Sequence, residues 1–229
     1  MKIKTTLGLK RFDKDYRLLE EKIQPSKSWT KGMLEILYLM HAGIAAASPY
    51  NMKDINNVGQ DIDSEGHSYC GYSSCNLRIA SGGGKSGLHG IQDIAQGGSG
   101  DYLMRINVNC SNIGIVIGTG VGAVTPTDYA LGTQILNGSG VGLMEYGGTE
   151  LQRLTFANPN GSLIIRRFFT NASGGGITVN EVGIYTIANK SSNNWGYSYY
   201  FCIARDLTGG VVVADTEILL ATYTVGITV

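Results

Sequence analysis

A chain of 229 residues with 43% hydrophobic and only 16% charged side chains is not disordered by composition, and it is long enough for one large domain or for a domain with a smaller appendage. Its 18 Lys and Arg balance 18 Asp and Glu, so the basic excess of a nucleic-acid binder is absent and no nucleic-acid partner is expected. Glycine (33 residues) and tyrosine (13) are abundant, and so sparse a charge suits a surface covered by neighbouring chains better than that of an isolated enzyme.

Residues 1–49 read as an N-terminal arm and helix. Half of the cationic side chains fall between Lys2 and Lys31. No apolar run of the signal-peptide kind opens the chain, so the expectation is synthesis in the cytoplasm without a secretory leader. Asp13 to Ile23 reads as a short charged helix stopped by Pro25. Ser28 is placed to cap a second helix, in which Trp29, Met33, Ile36, Leu37 and Met40 share one face before Ser48-Pro49 ends it. Of these, Trp29, Met33, Leu37 and Met40 are candidate assembly contacts. The apolar stretch Met33 to Ala47 is interrupted by Glu35, His41 and Gly43 and is too short to cross a bilayer, so no membrane partner is expected.

Residues 50–100 read as a glycine-rich irregular insertion, with a short strand at Asn76 to Ala80. GGGKSG, residues 82–87, lacks the first glycine of a phosphate loop, because Ile79 stands there, and reads as a flexible loop. His67, Cys70, Cys75 and His89 have irregular spacing for a zinc site. Free thiols are the plainer reading, with a Cys70–Cys75 disulfide as the alternative; no metal is expected.

Residues 101–229 carry the clearest pattern: about nine short strand candidates separated by Gly, Asn, Ser and Pro. This is the signature of a mainly β fold, an antiparallel β-sandwich of jelly-roll-like or immunoglobulin-like type, and residues 50–229 can equally form one domain. The last strand alternates, with Leu219, Ala221, Tyr223, Val225, Ile227 and Val229 on one face and Ile218, Leu220, Thr222, Thr224 and Thr228 on the other. An apolar terminal strand must pair, within its own sheet or with a neighbour. Tyr223, Val225 and Ile227 are therefore candidate interface residues. Gly118, Gly120 and Ala123 satisfy a loose dinucleotide fingerprint without the helix it requires, and read as a tight turn. Arg166, Arg167, Glu181, Arg205 and Asp206 lie within strands, where cross-strand ion pairs are the plain expectation. Cys110 and Cys202 read as buried thiols.

IGIVIGTGVGAVTPTDYALGTQI, followed by IIRRFFTNASGGGITVNEVGIY and FCIARDLTGGVVVADTEILLATYTVGITV, resembles virion structural proteins of tailed phages. SWTKGMLEILYLM is similar to the helix that such proteins carry before the sandwich. The resemblance covers roughly residues 26–49 and 112–229. It implies a non-enzymatic particle component of the capsid-decoration, tail or fibre type. Its partners would be copies of itself and other virion proteins, and its location the virion. Alternatives are a subunit of an extracellular filament assembled by strand donation, and a module recognising a host-surface glycan. For the last, Trp195, Tyr197 and Tyr199 are candidate sugar contacts. No catalytic residue and no cofactor is expected, since no nucleophile elbow or triad is readable.

Overall fold

The computed structural model describes residues 2–26, 28–42, 50–63, 78–79, 104–105, 108–152, 155–157, 160–192 and 195–228, with the backbone alone at 2, 39–42, 50, 61–63, 78–79, 104–105, 188–192 and 195–198. The fold is mainly β. Strands β1 (Lys2–Phe12) and β2 (Leu18–Pro25) precede helix α1 (Lys31–Ala42). Strands β3 (Tyr50–Lys53), β4 (Gly59–Asp63) and β5 (Arg78–Ile79) form a small antiparallel sheet. The rest of the chain supplies β6 (Met104–Arg105), β7 (Gly114–Gly118), β8 (Glu145–Leu151), β9 (Thr155–Ala157), β10 (Asn160–Thr170), β11 (Ile177–Ser192), β12 (Trp195–Val213) and β13 (Ile218–Thr228).

Two antiparallel sheets make the sandwich. The larger runs β2-β1-β13-β10-β8-β6, with β9 beside β10; the smaller runs β12-β11-β7. Period-2 alternation places Leu7 and Leu9 of β1, Leu219, Ala221 and Tyr223 of β13, Ile165 and Phe169 of β10, and Tyr146 of β8 on the inner face. They meet Ile115 and Ile117 of β7, Val179 and Val182 of β11, and Ile203, Val211 and Val213 of β12 in one core. Each such fully buried side chain contributes about 1.5–3 kcal/mol. The outer face of the larger sheet alternates to Thr6, Gly8, Thr222, Thr224 and Arg166, as the registers β1↔β13 and β13↔β10 require.

Three sequence expectations are corrected here. Asp13 to Ile23 is not helical: residues 13–17 form a hairpin turn and Leu18–Pro25 is a strand. Asp13 Oδ1 accepts the backbone N–H groups of Asp15 and Arg17, each at 2.9 Å, and Tyr16 closes the turn at φ 59°. This local side-chain to backbone bonding competes with a helix start. Nor are the first residues a detached arm. β1 lies between β2 and β13 and is paired with β13 from Lys2↔Thr228 to Phe12↔Ile218, so residues 2–25 supply two strands of the sandwich. Finally, Tyr223 is no interface residue: its side chain is 0% exposed, and its hydroxyl lies within hydrogen-bond distance of Val182 O (3.1 Å) and Asp206 Oδ2 (3.0 Å) in the chain's own core.

The chain also covers its own sheet edges, where unpaired backbone groups invite aggregation. Residues 28–30 run along the outer edge of β12: Arg205 N–H donates to Ser28 O at 3.0 Å and Thr30 N–H to Ile203 O at 3.1 Å. Ile55 N–H donates to Tyr200 O at 2.9 Å, and Gln24 Nε2 and Lys22 Nζ reach the carbonyls of Leu207 and Thr208. At the opposite edge of that sheet, Thr119 and Ile135 form backbone bonds that pair residues 133–135 with β7. The β2 edge carries a register irregularity opposite Arg11 and Phe12, ends at Pro25, and turns Lys22 inward. All three features discourage strand addition.

Helix α1 is held close to β12. A Cβ at Gly32 would stand 2.5 Å from the carbonyl oxygen of Cys202, so this approach requires glycine. Ser28, expected as the cap, instead bonds Asp206, and the helix begins three residues later.

Candidate functional site

The segment Thr125-Pro126-Thr127-Asp128 folds on itself. Thr125 donates its backbone N–H to Asp128 Oδ2 at 2.9 Å and its hydroxyl to Asp128 Oδ1 at 2.7 Å. Asp128 N–H returns a bond to Thr125 O at 3.2 Å. Arg205 of β12 then reaches the same carboxylate, with NH1 2.7 Å from Asp128 Oδ2. Burial alone would raise the pKa of Asp128, but the hydrogen bonds from Thr125 and the Arg205 charge outweigh it and hold the pKa below its ordinary value.

Behind Asp128 lies Glu181 of β11, 0% exposed. Arg205 Nε donates to Glu181 Oε2 at 2.7 Å. The backbone N–H groups of Gly120 (3.0 Å), Gly132 (3.0 Å) and Thr133 (2.8 Å) converge on the same carboxylate. Gly120, at the end of the Gly-Thr-Gly turn, and the successive residues Gly132 and Thr133 thus form an anion nest, and its anion is a side chain of the protein itself. A Cβ at Gly120 would stand 2.4 Å from Glu181 Oε1, so the carboxylate can enter only over glycine. Arg205 NH2 completes the arrangement by donating to Gly122 O at 3.0 Å. One guanidinium and one buried carboxylate therefore fasten residues 118–133 onto the smaller sheet.

Two further polar groups sit in the core. Asp206, 3% exposed, accepts the hydroxyls of Ser26 and Ser28 at 2.7 Å and faces that of Tyr223 at 3.0 Å. Arg167 of β10, 0% exposed, crosses between the sheets. Its guanidinium donates to the carbonyls of Gly147 (2.7 Å), Ile113 (2.8 Å), Ile115 (2.9 Å) and Cys110 (2.7 Å) and lies 4.7 Å from the Tyr146 ring centre. Desolvation lowers its pKa to about 10, so it stays charged at neutral pH. Arg166 points to the other face and pairs with Glu150 across the β10–β8 register at 2.7 Å, as expected of a cross-strand pair.

A cleft of about 320 Å³ opens over this framework, between α1, β3 and the 125–131 loop. Lys31, Gly32 and Glu35 form one wall, Asn51 and Lys53 the second, and Thr127, Asp128 and Tyr129 the third, with Cys202 at the floor. Lys31 Nζ bonds Glu35 Oε1 at 2.8 Å. Lys53 Nζ donates to Asn57 Oδ1 at 2.8 Å and lies 6.0 Å from the Tyr129 ring centre. The Cys202 thiol is pushed up to about 12, first by burial and then by the nearby Asp128 charge, and it faces Ala204 O at 3.4 Å. It is no nucleophile at neutral pH. Asp128 is held as the carboxylate and is equally unsuited to act as a general acid.

The residues singled out in the sequence are dispersed. Trp29 is half-buried against the core and donates Nε1–H to Thr5 Oγ1 at 3.2 Å. Met33 also packs on the core, whereas Leu37 is 43% exposed. Val225 and Ile227 are half-buried near the end of β13, which is paired on both edges. Tyr199 is half-buried on β12. The side chains of Met40, Trp195 and Tyr197 lie outside the described residues, as do Cys70, Cys75, His67, His89 and the GGGKSG segment. Cys202 is a buried free thiol, while Cys110 is half-buried rather than buried. Among the described residues no three His, Cys, Asp or Glu gather as a metal site, and no helix is long and apolar enough to cross a membrane. The cleft residues Lys53, Thr127 and Tyr129 were not singled out in the sequence, because no local motif joins positions brought together from three elements. No protein-family model, curated protein or solved structure matches the chain.

Proposed function

We propose that this protein is a non-enzymatic structural subunit of a tailed-phage virion, which works by packing against copies of itself or against other particle proteins. The observation that carries the reading is the apolar surface of the β1–β2 hairpin, where Ile3 is 62% exposed, Tyr16 69%, Leu18 52%, Leu19 47% and Ile23 67%. Of these, Leu19 and Ile23 stand four residues apart on the edge strand β2, and large apolar side chains exposed along an edge strand suit a surface that a neighbouring chain covers. The buried ionic groups support it from the other side: Glu181, Arg205, Asp206 and Arg167 bind segments of the chain together, and so serve rigidity rather than turnover. Capsid decoration, tail and fibre positions are all compatible with such a unit.

Assembly by strand donation is the less favoured reading, since β13 is paired on both sides and the β2 edge is irregular. Sedimentation velocity of the full chain tests the proposal. Concentration-dependent oligomers are expected, and the double variant Leu19→Glu, Ile23→Glu should remain folded and shift toward monomer. A chain that stays monomeric over about a hundredfold range of concentration, and equally so in the variant, contradicts self-association.

A further inference from the structure

We propose that the cleft between α1, β3 and the 125–131 loop binds an acidic sugar, a pyranose ring bearing one carboxylate. Its volume of about 320 Å³ matches a monosaccharide rather than a larger ligand. Lys53 supplies the charge preference. Its ammonium donates to the Asn57 amide oxygen and lies over the Tyr129 ring, 6.0 Å from its centre, with no carboxylate of the described residues in ion-pair reach. A carboxylate from outside would complete it with a charge-assisted bond.

The rest of the lining suits hydroxyl groups, each of which both donates and accepts. The carboxylates of Glu35 and Asp128 are already matched by Lys31 and Arg205, so they offer lone pairs without a strong demand for a further cation. Asn51 and Thr127 add groups that work in either direction. Tyr129, 38% exposed, provides an apolar ring face for the C–H side of a sugar. A phosphate dianion fits less well, because it brings twice the charge of a carboxylate against the same Glu35 and Asp128 walls and has no C–H side to lay on Tyr129. The inference does not depend on the assembly reading, and each can fail without the other.

The test is saturation-transfer NMR and calorimetry on the full chain with glucuronate, galacturonate, glucose, acetate and inorganic phosphate. A short oligouronate, run alongside, separates a polymer-end ligand from a free monosaccharide. Uronate binding is expected, with glucose weaker by about tenfold or more, and a loss of about tenfold in each of the surface variants Lys53→Gln and Tyr129→Ala. Absence of uronate binding would overturn the proposal. So would acetate or phosphate binding as tightly as the uronates, or wild-type affinity in both variants.

Discussion

Glu181 and Arg205 meet at 2.7 Å on neighbouring strands, and between them they hold a loop of the chain that neither strand contacts through its backbone ladder. The carboxylate collects the N–H groups of Gly120, Gly132 and Thr133, and the guanidinium collects Asp128 and Gly122 O. Replacing Glu181 by Ala would take from Arg205 the partner of its Nε, leaving Asp128 and Gly122 O, and would strand three buried backbone donors. Breaking a buried pair in this way costs about 3–5 kcal/mol. Urea unfolding should register a loss in that range, and a change under about 1 kcal/mol would mean that the loop is held by other contacts.

Arg167 should be equally sensitive, for a different reason. It has carbonyl partners on residues 110–115 and 147, so it ties the edge strand β7 to β8 through the core. Lysine keeps the charge but cannot reproduce the fork. Arg167→Lys is expected to destabilise by about 2–4 kcal/mol, and hydrogen exchange should quicken first in residues 113–117.

Thr149 offers the opposite sign. Its hydroxyl is buried on β8 with no hydrogen-bond partner among the described residues, and the side chain is 0% exposed. Thr149→Val exchanges an unsatisfied oxygen for a methyl of similar size. Thermal unfolding should show no loss and a gain of up to about 1 kcal/mol.

Stability should fall in strong alkali. Burial pushes the Tyr146 phenol up to about 12 and drives Tyr185 and Tyr223 in the same direction. A phenol with a raised pKa in the fold favours folding fully below its unfolded value of about 10, and that contribution is lost as pH rises through about 12. Absorbance titration should therefore show a late class of tyrosines that ionise together with loss of structure. Asp128 acts at the other end. Its pKa is depressed, so its contribution is present above the ordinary carboxylate value and disappears as pH falls through the lower folded value. Amides of residues 118–133 should lose protection there before the core does.

Deleting residues 1–27 should abolish the fold rather than only weaken assembly. β1 fills the place between β2 and β13, and Ser26 bonds the buried Asp206. Circular dichroism of the shortened chain should lack the sheet signal; a native-like spectrum would show that the hairpin is dispensable.

The alternation of β13 and the helical spacing of Met33 and Ile36 were legible because both are local patterns that one buried face imposes, whereas Trp29, read onto the same helix, lies before it and bridges Ala204 of β12. The β1–β2 hairpin was not. RLLEEK favours a helix in isolation, and its strand form depends on pairing with β1, which in turn depends on β13 at the far end of the chain. Arg167 was expected to find an acid across the sheet, as Arg166 does with Glu150. Among the described residues its hydrogen-bond partners are carbonyls, those of Ile113 and Ile115 at the start of β7 among them. The nest around Glu181 was visible in the sequence only as a glycine turn, since Gly120, Gly132 and Thr133 converge only once the chain has folded.

Electron microscopy of the concentrated full chain bears most directly on the assembly role. Ordered oligomers or arrays in which Leu19 and Ile23 lie at the contact are the predicted result. Dispersed single molecules, with that hairpin facing solvent at every concentration, would contradict it.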